Sequence, residues 1–263
     1  KINGNKENSY TKGVICAKVS RYRERTHNNN RLLYPLKRIG EKGSNKFQRI
    51  SWDEALTIVS KKLLKIKNDY GSESIWPYYY AGTMGLLQRD SINRFRHEFD
   101  FSGQYSTICN TLPQAGWMAG VGSLMGPDPR EVKHSEVIVM WGGNPASTQV
   151  NFMKHVQEAR KKNNAYFIVV DPYLNKTAKL ANLHIKIRPG TDGALACSLM
   201  HEIFKSKKAD YEYLKKFTKD YELLSAHFKE KTPEWAENIS GVPAKIIKNF
   251  ANILCKKTPS YFR

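Results

Sequence analysis

The chain has 263 residues, enough for one large domain or two and for a substantial core. Its hydrophobic content of 40% is that of a globular protein, and no apolar run reaches the roughly 18 residues of a membrane span. A formal charge of +19 would suit a nucleic acid, an anionic cofactor or a membrane surface, but the lysines (Lys61-Lys62, Lys161-Lys162, Lys215-Lys216, Lys256-Lys257) are scattered over expected helix faces and read as solvated surface.

The first 35 residues are polar and turn-rich, with Gly13-Val14-Ile15-Cys16-Ala17-Lys18 as their one marked feature and a basic loop expected over residues 21–31. Phe47-Gln48-Arg49-Ile50 is a short extended piece. Ser51-Trp52-Asp53-Glu54 has the form of a capping box, so a helix starts there, places Ala55, Ile58, Val59, Leu63 and Ile66 on its apolar face, and closes at Tyr70-Gly71. Residues 74–81 read as a strand ending in the loop Gly82-Thr83-Met84-Gly85. A helix over 86–99 carries Arg89, Arg94 and Arg96. A short strand is expected over 105–109, a small-residue helix over 111–122, and a domain boundary near Asp128.

Three short apolar runs then alternate with a helical pattern. The first, Val137-Ile138-Val139-Met140-Trp141, breaks at Gly142-Gly143-Asn144-Pro145 and leads into a helix to about Lys162. The second, Tyr166-Phe167-Ile168-Val169-Val170, ends at Asp171-Pro172. The third, residues 184–187, ends at Arg188-Pro189-Gly190-Thr191-Asp192-Gly193 and starts another helix, with Thr191 or Asp192 as its cap. Buried strands alternating with helices predict a parallel, doubly wound α/β sheet, and such sheets bind ligands at the carboxyl ends of their strands. Helices follow over 210–217, 222–228, from Pro233 and over 244–255. The last directs Ile246, Ile247, Phe250, Ile253 and Leu254 inward. Residues 259–263 read like the entry to a further strand, and the chain, opening at Lys1-Ile2-Asn3-Gly4 without an initiator Met, reads as truncated at both ends.

The candidate chemistry sits at turns. Gly142-Gly143-Asn144-Pro145 between strand and helix suits phosphate, because free N–H groups and the helix dipole point outward there; a tight turn is the alternative, and the spacing is not the GxGxxG of ordinary NAD sites. Asp171 can accept from a ribose or simply turn the chain before Pro172. Asp192 can face a purine or only cap its helix. Cys109 can be a metal thiolate or a buried structural cysteine. Cys197 and Cys255 fall on apolar helix faces. The four cysteines form no CxxC pair and no disulfide framework.

Taken in order, Cys16-Ala17-Lys18, Tyr34-Pro35-Leu36-Lys37-Arg38-Ile39-Gly40, Arg49-Ile50-Ser51-Trp52-Asp53-Glu54-Ala55, Trp141-Gly142-Gly143-Asn144-Pro145, Val169-Val170-Asp171-Pro172 and Arg188-Pro189-Gly190-Thr191-Asp192-Gly193-Ala194-Leu195 resemble the molybdopterin oxidoreductase superfamily of formate dehydrogenases, nitrate reductases and dimethyl sulfoxide reductases. The resemblance covers nearly the whole chain. It implies two-electron redox chemistry on a small-molecule substrate at a molybdenum (or tungsten) bis(molybdopterin guanine dinucleotide) centre, with electrons passing to a [4Fe–4S] cluster and on to an electron-transfer partner subunit.

By this resemblance Cys16 is the last of four cluster cysteines, Lys18 the lysine between cluster and pterin, and Cys109 the metal ligand. Gly142, Gly143, Asn144, Asp171, Pro172, Gly190 and Asp192 contact a guanosine-bearing cofactor, Asp192 reading its guanine. Asn110 stands where formate dehydrogenases carry a histidine. Residues 1–37 would be the remnant of the Fe–S domain, 38–128 a mixed α/β domain and 129–263 the doubly wound, cofactor-binding domain. Two other readings are an electron-transfer or structural subunit of the same fold without molybdenum, and a basic nucleic-acid-binding protein. Cys109 and the three strand ends argue against the first. Neither a nucleic-acid partner nor a membrane span in these residues is expected. The compartment is left open, with the cytoplasm preferred to the periplasm.

Overall fold

A computed structural model describes residues 1–78, 91–105 and 108–263, without the side chains of Ile108 and Cys109. In chain order its helices are α1 (Ala17–Ser20), α2 (Tyr22–Thr26), α3 (Trp52–Tyr70), α4 (Ser91–Phe99), α5 (Ile108–Val121), α6 (Pro145–Thr148), α7 (Val150–Asn163), α8 (Asp192–Lys205), α9 (Tyr211–Phe217), α10 (Tyr221–Phe228), α11 (Pro233–Ser240) and α12 (Ala244–Lys256). The strands are β1 (Leu36–Arg38), β2 (Phe47–Arg49), β3 (Val137–Trp141), β4 (Tyr166–Val170), β5 (Leu183–Ile185) and β6 (Ser260–Phe262). They form two compact units, one of Lys1–Glu24 with Gly126–Arg263, the other of Arg25–Met125.

The first unit is built on a parallel sheet in the order β5-β4-β3-β6. Its central strands are apolar on both faces because both are covered. Val137, Val139, Ile168 and Val170 point to one side and pack with Leu195 and Leu199 of α8, Ala236 of α11 and Ile247 and Phe250 of α12. Ile138, Met140, Phe167 and Val169 point to the other and pack with Phe152, Met153, Val156 and Ala159 of α7. The expected inward face of α12 is formed: Ile247 and Phe250 are buried, with Ile246, Ile253 and Leu254 packed around them. The expected closing strand is β6, which pairs with β3 on the side away from β4. Strand order therefore reverses at β3, and the chain breaks at Gly142 at the switch point of the sheet.

The amino-terminal residues pack on α7. The buried His155 ring donates from Nε2 to the Tyr10 carbonyl at 2.7 Å and stacks on the Tyr10 ring, with centroids 5.6 Å apart. Lys12 pairs with Glu158 at 2.7 Å, and Arg130 donates to Ser9 Oγ at 2.7 Å.

In the second unit β1 and β2 form an antiparallel pair. Ser51 caps α3, accepting from the Glu54 N–H at 3.0 Å, but the reciprocal half of the capping box is absent: Glu54 reaches Lys37 at 3.5 Å instead. The apolar face of α3 is also more open than its periodicity predicts. No α3 residue is buried, and of the expected five Val59 and Ile66 are exposed. Leu56, Val59, Leu63 and Leu64 border a hollow whose other wall is Phe95, Phe99 and Phe101.

Other expectations are corrected. Residues 22–26 are the short helix α2 within the stretch expected as loop. Ser72–Ser74 is a 3₁₀ turn, and among the described residues 75–78 join no ladder; the Ile75 carbonyl accepts from the Ser102 N–H at 2.9 Å. The remainder of that expected strand, the loop Gly82-Thr83-Met84-Gly85 and Arg89 lie outside the described residues. Ile108 and Cys109 form the first turn of α5 rather than a strand end. Pro113, with no N–H, leaves the Cys109 carbonyl without its helical donor. The helix after Pro145 is two helices, broken where Gln149 takes an extended φ of −143°.

The Glu158 carboxyl is held at about 2, below its ordinary 4.5, by hydrogen bonds from Lys12 first and Lys162 second. A carboxylate depressed in the folded state contributes stability above its unfolded pKa and loses it as pH falls through the folded value. Docking of the amino-terminal residues is expected to weaken as pH falls from about 4.5 to about 2. Limited proteolysis of that segment against pH checks this, and Glu158→Gln should remove the dependence. An acid profile unchanged in the variant would assign the transition to another group.

Candidate functional site

The three expected turns lie at the carboxyl ends of β3, β4 and β5 and are joined to one another. At the end of β3, Gly142 has a φ of +69° and donates to the Val170 carbonyl at 2.9 Å. A side chain there would strain the backbone, which accounts for glycine. The N–H groups of Gly143 and Asn144 have no acceptor among the described residues. Those of α6 are already used: Pro145 has none, and Ala146 donates to Thr177 Oγ1 at 3.0 Å. The free donors therefore sit just before the helix rather than in its first turn.

Asn144 is tied across to the loop after β4. Thr177 Oγ1 donates to Asn144 Oδ1 at 2.8 Å. The N–H groups of Thr177 and Ala178 donate to Asn175 Oδ1 at 2.8 and 2.9 Å, and Asn175 Nδ2 donates to Asp171 Oδ2 at 2.7 Å. Asp171, Asn175 and Thr177 are all buried. Asp171 Oδ1 accepts from the Tyr173 N–H at 3.0 Å. Each Asp171 carboxylate oxygen thus receives one donor from its own loop and keeps a second lone pair. Pro172 is exposed beside it. His184 Nε2 donates to the Asp171 carbonyl at 3.0 Å, joining the end of β4 to β5.

The third turn is held from both sides. The Arg188 guanidinium donates to the Asn238 and Ile239 carbonyls at the end of α11, where the helix dipole favours a cation. Thr191 is the N-cap of α8 by position, but its hydroxyl turns back to the Arg188 carbonyl at 2.7 Å and caps nothing. The N–H groups of Asp192 and Gly193 have no acceptor among the described residues. Asp192 is exposed, and its Oδ1 accepts from the Trp141 indole N–H at 2.7 Å. That bond ties the end of β3 to the start of α8. Gly190 has a φ of +78° and opens onto free space. Gly193 also meets nothing within 4 Å of an added Cβ, and its φ lies outside the strained region.

This edge of the sheet therefore carries a row of donors, bare glycines and one exposed carboxylate, an arrangement able to hold an anionic ligand with hydrogen-bonding edges. The sequence reading missed Asn175, Thr177, His184 and the Trp141 indole. Asn175 and Thr177 are turn-forming types, but nothing in their spacing says that they face Asn144.

The remaining candidates are elsewhere. Cys16 is the half-buried residue preceding α1, a free thiol. The Val19 N–H holds its pKa below the usual value against desolvation, with the N–H and charge of Lys18 adding to the effect. Lys18 is exposed. Among the described residues no hydrogen bond or ion pair joins Cys16 or Lys18 to the strand-end loops. The Cys109 side chain lies outside the described residues. No group of three His, Cys, Asp or Glu among the described residues could hold a metal ion.

A parallel sheet with its loops joined in this way defines an α/β protein with a candidate site on the switch-point edge. The family model "Molybdopterin oxidoreductase" matches residues 31–247, and the chain belongs to that family. It is 36% identical over 264 residues to "Probable oxidoreductase YoaE" of Bacillus subtilis (strain 168), covering 100% of this chain and 39% of that protein. It is 31% identical over 272 residues to "Dimethyl sulfoxide reductase DmsA" of Escherichia coli (strain K12), covering 89% and 33%. The structure of acetylene hydratase from Pelobacter acetylenicus is similar in fold, with a TM-score of 0.71 at 24% identity over 97% of this chain and 35% of that one. The chain thus spans between a third and two-fifths of these curated relatives.

Asn175→Ala is expected to lower stability by about 1–3 kcal/mol, because it strips a donor from the buried Asp171 carboxylate and an acceptor from two N–H groups. Urea unfolding checks this. A midpoint equal to wild type would mean that the link between the loops is dispensable.

Proposed function

We propose that this chain forms the guanine-nucleotide side of a molybdenum or tungsten bis(molybdopterin guanine dinucleotide) site in an oxidoreductase acting on a small-molecule substrate. The observation that carries the reading is the joined edge at the ends of β3, β4 and β5. It offers unpaired N–H groups at Gly143, Asn144, Asp192 and Gly193 together with the exposed Asp192 carboxylate. These residues fit a guanosine-bearing group. Phosphate oxygens accept from the free N–H groups, and guanine presents adjacent N–H donors to a carboxylate. Gly193 fits as well: the protein's own packing leaves room for a side chain there, so a close-lying ligand supplies the reason for glycine.

When bound, the metal–pterin group supplies two-electron redox chemistry at the substrate. The chain's own residues bind and orient it. Asp192, steadied by Trp141, accepts from guanine. Asp171 keeps a lone pair on each oxygen for a ribose hydroxyl. The Gly142 and Gly190 turns let backbone approach the ligand, and Pro172 limits the loop beside it. Cys109, at the start of α5, is assigned as the metal ligand. Cys16, with its depressed pKa, is assigned as one thiolate of a [4Fe–4S] cluster, and Lys18 beside it as a cation favouring added electron density there. Further cluster ligands would come from outside the described residues. An electron-transfer partner subunit would take up the electrons.

Metal and nucleotide analysis of the purified protein tests the assignment. Molybdenum or tungsten near one per chain, with guanine nucleotide released on acid hydrolysis, is expected; iron without either metal or nucleotide would favour an electron-transfer subunit. Asp192→Ala should lose retained guanine nucleotide, since each charge-assisted bond contributes roughly 1.5–3 kcal/mol. Gly193→Ala should also lose nucleotide while its Tm holds or rises, because alanine favours helix by up to about 1 kcal/mol. Undiminished nucleotide in both variants would sink the guanine site. For Cys109→Ala, turnover should vanish while nucleotide content persists; full activity would place the metal ligand elsewhere.

A further inference from the structure

We infer that Thr177 is a positioning residue for the nucleotide site. It acts through Asn144 and makes the loop after β3 a face of donors only, matched to phosphate oxygens. The inference rests on the nucleotide-site reading above.

Thr177 is completely buried, so its hydroxyl does not reach a ligand. The hydroxyl makes two bonds of opposite sense. It donates to Asn144 Oδ1 at 2.8 Å and accepts from the Ala146 N–H at 3.0 Å. The second bond matters to the first, because it directs the hydroxyl proton away from Ala146 and toward Asn144. A carboxamide has one acceptor end and one donor end. With Oδ1 taken by Thr177, what Asn144 has left to offer is donors: its Nδ2 amide has no acceptor among the described residues, and neither has its backbone N–H. Beside them is the free N–H of Gly143. Reversal of the amide would make Nδ2 donate to the second lone pair of the hydroxyl, take away the acceptor of its buried proton, and put an acceptor among these donors.

Such a set of donors suits a group made only of acceptors. Phosphate oxygens meet that description, whereas the sugar hydroxyls of a nucleoside both donate and accept. Thr177 is itself held through its backbone. Its N–H is fixed on Asn175 Oδ1, and Asn175 is fixed on Asp171. Its hydroxyl therefore stands in a place set by the end of β4, and the orientation of a group after β3 is decided by the neighbouring strand.

Calorimetric titration of guanosine diphosphate and of guanosine into the whole chain tests this, using wild type, Thr177→Ser, Thr177→Val, Asn144→Ala and the Thr177→Val/Asn144→Ala double variant. Thr177→Val should weaken guanosine diphosphate roughly tenfold, the loss of about one hydrogen bond. It should leave guanosine little changed, and Thr177→Ser, which keeps the hydroxyl, should bind as wild type. In the Asn144→Ala background Thr177→Val should add no further loss, because the two act as one unit. Independent losses, equal losses for both ligands, or Thr177→Ser binding as poorly as Thr177→Val would overturn the positioning role while leaving the nucleotide site standing. Guanosine diphosphate bound equally well by wild type and Asn144→Ala would do the same. No binding of either ligand by wild type would overturn the nucleotide reading and this inference with it.

Discussion

The structure depends on β3 being flanked on both edges. With β4 on one side and β6 on the other, its backbone donors and acceptors are taken up by parallel ladders, and its side chains are buried on both faces. A strand so placed has no solvent to satisfy it. The chain can leave the sheet only where the ladder ends, and it does so at Gly142, whose positive φ turns the backbone out. The position of the candidate site follows from this pairing.

The second constraint is the cost of buried polar groups. Asp171, Asn175 and Thr177 are buried, and each would be expensive there without partners. They satisfy one another and Asn144 in a single chain of bonds. Such a chain is stringent, because removing one member leaves the next unpaired. The loops at the sheet edge are thus held by polar satisfaction as well as by the apolar packing of Pro145 and Ala178. The free N–H groups at Gly143, Asn144, Asp192 and Gly193 lie beside this satisfied set of buried side chains.

Family membership and fold agree with the parallel sheet, while the residues that hold the loops together belong to this chain's own structure. Asp171 shows the difference. At the end of an apolar run it reads as a ribose acceptor or a turn. In the structure it is buried and receives donors from Tyr173 and Asn175, so it organises its loop and has one lone pair per oxygen to offer. The Ser51 cap shows a similar difference: its forward half was legible from residue types, but Glu54 went to Lys37, a residue on another element.

The amino-acid sequence by itself determined the elements whose signals are local. The continuous apolar runs of β3 and β4, the inward face of α12, Pro233 at the start of α11 and the turns at Gly142, Asp171 and Gly190 were all readable in order. Burial and period leave their mark on neighbouring residues, and turn chemistry needs only a few of them. Tertiary structure alone decided that β6 closes on β3, that Thr177 holds Asn144, that Trp141 holds Asp192 and that α3 keeps an open apolar face. Each of these joins or separates residues distant in sequence. Their pairing is set by strand order and by the desolvation of polar groups brought together, and neither is written in any one stretch of the chain.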